Sequence, residues 1–203
     1  MVGLDKASSD LESYRETQVR IALYGGSFNP PHRAHALVAE WVVKSGAADE
    51  VWLGPVYQHA LDGQQGKQLA PFTDRLAWCA AMAASLGVSA RVCDVESTLP
   101  VPSYSIDTLD HLAKTHPDHE FRLVVGADIL DQTDQWKRWN EIEAHYDPLV
   151  VGRAGFRGPA GVPVFPEVSS TEVRRRLAAG RSVDDLVIPA VLDALRKGHP
   201  WLP

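Results

Sequence analysis

Short apolar segments alternate along this chain with segments of helical periodicity, and this alternation constrains the fold more than any other feature. The patterns predict strands at residues 19–24, 50–56, 90–95, 121–125, 148–152 and 162–165. They predict helices at residues 34–43, 74–86, 105–114, 136–145, 170–179 and 189–197. Several of the strands are apolar throughout, which is typical of parallel strands covered by helices on both faces. The sequence therefore predicts an α/β fold with a doubly wound parallel sheet.

A chain of 203 residues is long enough for one sizeable core. We expect one domain over residues 19–203, preceded by a flexible extension over residues 1–18. The extension is polar and lacks the apolar stretch of a secretion signal, and no run in the chain approaches the roughly 18 apolar residues that span a bilayer. A cytoplasmic protein without membrane contact is expected, and homo-oligomerisation stays open.

Charge and cysteine content narrow the classes of partner. The net charge of −6 argues against a protein that coats nucleic acid, because such domains usually carry a basic face. Cys79 and Cys93 belong to no CxxC or metal-spaced cluster, so we expect buried thiols. A protein-held metal site is not predicted, because the histidine pair described below lacks a third ligand at a recognisable spacing.

The loop after the first predicted strand reads GGSFNPPHRAH over residues 25–35. Its glycines let backbone amides approach a ligand, and its prolines fix the start of a helix whose positive end faces that ligand. His32 and His35 lie three residues apart, so both rings project from one face of this helix. The segment predicts a cradle for a triphosphate, whereas on its own it also fits a glycine turn with two surface histidines.

A second segment, residues 169–174, reads SSTEVR and places hydroxyl side chains at the start of a helix. Ser170 or Thr171 can cap this helix, and Arg174 lies one turn inside, where it can reach an anion held by the free amides. A plain helix cap followed by solvated arginines explains the segment if it is taken alone. In combination with the first segment, it favours a phosphate site.

Together the two segments resemble a known family. Residues 25–35 resemble the GGTFDPxHxGH signature of nucleotidyltransferases with the HxGH-type histidine pair, although Ala34 replaces the usual glycine and Asn29 the common aspartate. Residues 168–174 resemble the ISSTxIR motif of the same enzymes. The resemblance implies a Rossmann-like nucleotidyltransferase fold with His32, His35 and Arg174 as catalytic residues. It also implies ATP binding by Gly25, Gly26, Ser27, Phe28, Gly126, Asp128, Arg153, Ser169, Ser170 and Thr171.

The middle of the chain suggests the acceptor of the nucleotidyl group. Residues 102–109 (PSYSIDTL) resemble the PSYTxxTL segment of nicotinate mononucleotide adenylyltransferases, and residues 126–136 resemble their GxD…W stretch. The resemblance implies that Trp136 stacks on the pyridine ring and that Asp128 binds a ribose, and an electron-rich indole suits a cationic ring. The residues implied to bind the mononucleotide are Ser103, Tyr104, Thr108, Trp136 and Lys67.

The expected reaction is transfer of the adenylyl group of ATP, carried with Mg²⁺, to nicotinate mononucleotide or its amide, which releases pyrophosphate. Two alternatives stay open: transfer to another phosphate acceptor such as phosphopantetheine, and a non-catalytic nucleotide-sensing protein of the same fold. Nicotinate-specific members commonly carry a proline-rich loop after the second strand, and here His59 and Lys67 either replace that loop or lie on the surface. The preference between acid and amide therefore stays open.

Overall fold

In the computed structural model of the protein, residues 18–58, 69–153, 155–156 and 158–197 are described. The strands are β1 (Val19–Gly26), β2 (Glu50–Pro55), β3 (Ala90–Val92), β4 (His119–Gly126), β5 (Leu149–Arg153) and β6 (Val164–Phe165). The α-helices are α1 (Arg33–Lys44), α2 (Phe72–Ser85), α3 (Ser105–Thr115), α4 (Trp139–Tyr146), α5 (Ser170–Ala178) and α6 (Pro189–Arg196). Segments of 3₁₀ helix occupy Val95–Thr98 and Ala127–Gln135, and the second is interrupted by a kink at Gln132, whose backbone is not helical (φ −133°).

The strands form one parallel sheet in the order β3-β2-β1-β4-β5-β6. From β1 the chain builds outward through β2 and β3, and then returns to place β4 on the other side of β1. Ligands of such sheets bind at this reversal, beyond the carboxyl ends of the strands. The segments that follow Gly26 and Gly126 therefore meet at the carboxyl ends of the two central strands. The predicted doubly wound α/β fold is confirmed.

Helices cover both faces of the sheet, because each strand buries side chains alternately on its two sides. On β1, Ala22 belongs to a cluster packed under α1, α2, α5 and α6, whereas Ile21 and Leu23 belong to a second cluster under α3 and α4. Cys79 and Cys93 are buried free thiols, as expected, and burial raises the pKa of both. The helices thus bury both faces of the sheet.

Two predicted elements are present, but their predicted bounds are wrong. The helix expected at 136–145 begins only at Trp139, because Arg138 adopts a left-handed conformation (φ 55°) that its ion pairs with Asp110 and Glu141 stabilise. Trp136 therefore has an extended backbone (φ −91°, ψ 130°) between a 3₁₀ helix and α4. The strand expected at 90–95 ends at Val92, and the chain then turns into the 3₁₀ helix.

Three sequence predictions fall wholly or largely outside the described residues. They are the N-terminal extension, of which Gln18 alone is described, and the roles considered for His59 and Lys67. Among the described residues, none of the helices combines the length and the apolar character that crossing a bilayer requires.

Candidate functional site

A cavity of about 550 Å³ opens beyond the carboxyl ends of β1 and β4. It brings together residues predicted from distant parts of the sequence. Those among its lining are Gly25, Gly26, Ser27, His32, His35, Ser103, Tyr104, Gly126, Asp128, Trp136 and Arg153. The strand reversal thus collects both predicted substrate regions in one cavity.

The two histidines of the first signature form a stacked pair at the start of α1. Their ring centroids lie 3.6 Å apart with an interplanar angle of 19°. The backbone N–H of His32, the N-cap residue, donates a 3.1 Å hydrogen bond to Nδ1 of His35. His32 is only 5% exposed, and Nδ1 of its ring is buried without a hydrogen-bond partner. The helix start therefore fixes one ring and leaves a polar atom of the other unsatisfied.

Burial keeps both imidazoles neutral. Desolvation, followed by the positive charge of Arg153, lowers the pKa of His32 to about 4. Desolvation also lowers the pKa of His35 well below its ordinary value, with further contributions from His32 and Arg153. Because Nδ1 of His35 accepts a hydrogen bond, its proton lies on Nε2 in the neutral ring. His35 is therefore a fixed hydrogen-bond donor rather than a proton acceptor at Nδ1.

Asp128 and Arg153 form an ion pair across the ends of β4 and β5, with 3.2 Å between the carboxylate and the guanidinium group. The carboxylate lies directly beside Gly126, since a Cβ at that position would come within 2.2 Å of Oδ1 of Asp128. Any side chain at this position would force the Asp128 carboxylate to move. The pair sets one charged wall of the cavity.

The second signature contacts the first, although the two are separated by about 140 residues in sequence. Arg174 donates a 2.6 Å hydrogen bond to the carbonyl oxygen of Asn29, and the hydroxyl of Ser170 donates one of 2.8 Å to that of Pro30. Arg174 also donates to the hydroxyl of Thr171 at 3.3 Å. These contacts place α5 directly against the loop that precedes the histidine pair.

The cap of α5 differs from the prediction. Ser169 is the N-cap residue, and its hydroxyl accepts a 3.2 Å hydrogen bond from the backbone N–H of Glu172. Ser170 and Thr171 instead direct their hydroxyls to Pro30 and Arg174. Of the three hydroxyl residues, Ser169 therefore caps the helix, whereas Ser170 and Thr171 contact Pro30 and Arg174.

Aromatic side chains also line the cavity, among them Tyr104 and Trp136. Trp136 is partly exposed and meets Trp139 edge to face, with 5.5 Å between the ring centroids. The ammonium group of Lys137 lies 4.7 Å from the ring centroid of Tyr104 and pairs with Asp107 at 2.7 Å. A flat, cationic ligand has stacking partners here.

Six described residues predicted to contact a substrate do not line the cavity: Phe28, Thr108, Ser169, Ser170, Thr171 and Arg174. Phe28 is buried, and its ring packs against Tyr24 and His35. Thr108 is also buried, and its hydroxyl lies within hydrogen-bond distance of Glu96 and of the carbonyl of Tyr104. Lys67 lies outside the described residues. Phe28 and Thr108 thus support the residues that line the cavity.

Sequence reasoning missed two charged residues next to the cavity, Glu96 and Arg75. Glu96 lines it, and burial raises the pKa of its carboxyl group. Arg75 is 1% exposed and occupies the buried stripe of α2 together with Trp78, Cys79 and Met82. Arg75 could have been found from the sequence, because it has the spacing of a buried helical stripe whose other members are apolar. The described residues contain no group of three or more His, Cys, Asp or Glu side chains that could hold a metal ion.

Comparison with known proteins identifies the family of the chain. The cytidylyltransferase-like family model matches residues 23–176. A protein named probable nicotinate-nucleotide adenylyltransferase from Anaeromyxobacter sp. (strain K) is 48% identical over 176 residues, which cover 85% of this chain and 91% of that protein. The protein of the same name from Myxococcus xanthus (strain DK1622) is 38% identical over 182 residues, with coverages of 89% and 93%.

The fold is also similar to a solved structure, Plasmodium falciparum nicotinic acid mononucleotide adenylyltransferase complexed with NaAD. The TM-score is 0.71 at 18% identity, and the match covers 90% of this chain and 97% of that one. This similarity bears on the fold, whereas the sequence matches bear on the family. The chain belongs to the cytidylyltransferase-like family and, within it, to the nicotinate-nucleotide adenylyltransferases.

Proposed function

We propose that the protein transfers the adenylyl group of ATP to nicotinate mononucleotide and releases pyrophosphate and deamido-NAD. The observation that carries this proposal is the stacked, neutral pair of His32 and His35 in the lining of a cavity that Tyr104 and Trp136 also line. A triphosphate and a flat cationic ring need two such different surfaces within one cavity. The names of the relatives at 48% and 38% identity support the same reaction.

In this mechanism, a phosphate oxygen of the mononucleotide attacks the α-phosphorus of ATP. The new P–O bond forms as the bond between the α-phosphorus and the bridging oxygen breaks, and the electron pair leaves with pyrophosphate. The attacking phosphate is already ionised, so no general base is required. Catalysis then depends on orientation and on stabilisation of the charge that develops on the transferring phosphoryl group.

The residues divide this task. The Nε2–H of His35 and the ring of His32 would donate to phosphate oxygens, and Arg174 would supply a permanent positive charge from α5. The glycine loop, Gly25 to Ser27, would bring its backbone to the nucleotide. Mg²⁺ enters this proposal with the MgATP substrate, where it neutralises charge on the phosphates.

The remaining predicted residues would position the substrates. Gly126, Asp128 and Arg153 border the nucleotide, with Asp128 as the candidate ribose ligand. Ser103 and Trp136 border the pyridine ring. We infer the acid rather than the amide as the preferred acceptor, because the relatives named above are nicotinate-nucleotide enzymes.

One assay tests the proposal. The protein is incubated with MgATP and, in separate reactions, nicotinate mononucleotide, nicotinamide mononucleotide or phosphopantetheine, and pyrophosphate release is measured. We expect release with nicotinate mononucleotide to be the fastest. Equal or faster release with the amide would contradict the inferred acid preference, and release with phosphopantetheine alone would contradict the pyridine acceptor. ATP binding without turnover of any acceptor would contradict an enzymatic role.

A further inference from the structure

A single peptide unit at the exit of β2 is held from both sides by charged groups, the buried Arg75 and the partly exposed Glu96. Arg75 donates a 2.6 Å hydrogen bond from Nη1 to the carbonyl oxygen of Val56. Oε2 of Glu96 accepts a 2.9 Å hydrogen bond from the backbone N–H of Tyr57. This carbonyl and this N–H belong to the same peptide plane, so a cation and a carboxyl group hold its two ends.

Arg75 connects this peptide to the glycine loop of the first signature. The same Nη1 lies 3.2 Å from the carbonyl oxygen of Ser27, and Nε donates a 3.0 Å hydrogen bond to that of Ala70. In addition, the backbone N–H of Val56 donates to the carbonyl of Gly26 at 2.9 Å. The position of the nucleotide loop is thus tied to the exit of β2.

Glu96 connects the same peptide to Ser103 and Thr108. Its Oε1 lies 3.4 Å from the hydroxyl of Thr108, and the hydroxyl of Ser103 also interacts with its carboxyl group. The backbone N–H of Ser103 donates a 2.9 Å hydrogen bond to the carbonyl oxygen of Gln58, and the backbone N–H of Gln58 donates one of 3.3 Å to the hydroxyl of Ser103. Glu96 therefore contacts three parts of the chain: the exit of β2, the segment before α3, and α3 itself.

We propose that Arg75 and Glu96 are a pair of positioning residues. Through the Val56–Tyr57 peptide they couple the glycine loop at residues 25–27 to the segment that carries Ser103 and Tyr104. This inference deepens the proposed function and rests on it. Hydrogen bonds to the two ends of one peptide polarise it in the same direction, so each contact strengthens the other. Loss of Glu96 should therefore release the Ser103 side of the cavity first, and loss of Arg75 should disturb both sides.

The first test separates the two substrates. Glu96→Ala should raise KM for nicotinate mononucleotide about tenfold, because several donors lose the acceptor that they share, while KM for ATP changes less than about threefold. Glu96→Gln should remain within about threefold of wild type in both constants, since its carbonyl oxygen still accepts from Tyr57 and the hydroxyls can turn to accept from its amide. Arg75→Lys, which keeps the charge but loses the fork of donors, should raise KM for both substrates about fivefold or more.

The second test measures coupling by a double-mutant cycle. The KM increase for nicotinate mononucleotide in Arg75→Lys/Glu96→Ala should be smaller than the product of the two single increases. Each single change already weakens the hydrogen bond that the other residue makes to the shared peptide. A matched pair serves as control: Arg91 and Glu50 form a 3.3 Å ion pair whose residues are not in the cavity lining. Arg91→Lys/Glu50→Ala should leave both KM values at wild-type level.

The results distinguish this inference from the proposed function. Inactive wild-type protein with every pyridine mononucleotide would remove the proposed function. With active wild-type protein, equal KM increases for both substrates in Glu96→Ala, or increases that simply multiply in the double variant, would overturn the coupling. Thermal unfolding of every variant identifies global loss of structure, and a Glu96→Gln protein as impaired as Glu96→Ala would also overturn the assignment to hydrogen bonding.

Discussion

The guanidinium group of Arg174 donates a 2.6 Å hydrogen bond to the carbonyl oxygen of Asn29, 145 residues earlier in the chain. Asn29 is 3% exposed and itself accepts a hydrogen bond at its side chain from the backbone N–H of Ala70. The bond therefore fixes the cation of the second signature beside the loop that leads to the histidine pair. Burial also lowers the pKa of Arg174, although its guanidinium group stays charged at neutral pH.

Arg174→Ala should lower kcat about a hundredfold, because a preorganised positive charge is lost from the phosphate site. Arg174→Lys should retain part of the activity, with a loss of about tenfold, since a lysine keeps the charge but cannot donate in the planar geometry of arginine. Pyrophosphate release under saturating substrates measures both. The exposed Arg181 provides the control, and an Arg181→Ala protein with the same loss would show that the effect does not depend on position.

His35→Gln separates the chemistry of the imidazole from its structural contact. Glutamine at the third position of a helix can accept the hydrogen bond of the N-cap N–H, which His35 now accepts from His32 at 3.1 Å. We therefore expect an unfolding temperature close to that of wild type. Turnover should nevertheless fall about a hundredfold, because the rigid Nε2–H donor is lost. Wild-type turnover in this folded variant would remove His35 from the mechanism.

The sequence predicted the fold and the first signature well because both depend on local rules. Apolar strand patterns determine the parallel sheet, and the three-residue spacing of His32 and His35 places their rings on one face of α1. The extended backbone at Trp136 could not be predicted in this way, since the left-handed Arg138 is stabilised by Asp110 on another helix. The contacts of Glu96 are likewise non-local.

Gly126→Ala tests the charged wall of the cavity. The added Cβ would come within 2.2 Å of Oδ1 of Asp128, so the carboxylate must move and its 3.2 Å pair with Arg153 is lost. We expect KM for ATP to rise about tenfold, which corresponds to the loss of one hydrogen bond to a charged group. Gly87→Ala is the matched control, because a Cβ there meets nothing within 4 Å. Equal KM values in the two variants would contradict a role for Asp128 in ATP binding.

The buried histidine pair should make the stability of the fold depend on pH. The folded-state pKa of His32 is about 4, below its ordinary value of 6.5, so the unfolded chain binds a proton that the folded protein does not. The stability that the neutral His32 contributes to the folded protein is therefore present above pH 6.5 and is lost as the pH falls towards 4. His35 acts in the same direction. Between about pH 7 and about pH 5, His32 alone should lower the free energy of unfolding by about 2 kcal/mol. Urea unfolding at both values should show a smaller loss for His32→Gln than for wild type or for the exposed-site control His145→Gln, and equal losses in all three would contradict the lowered pKa.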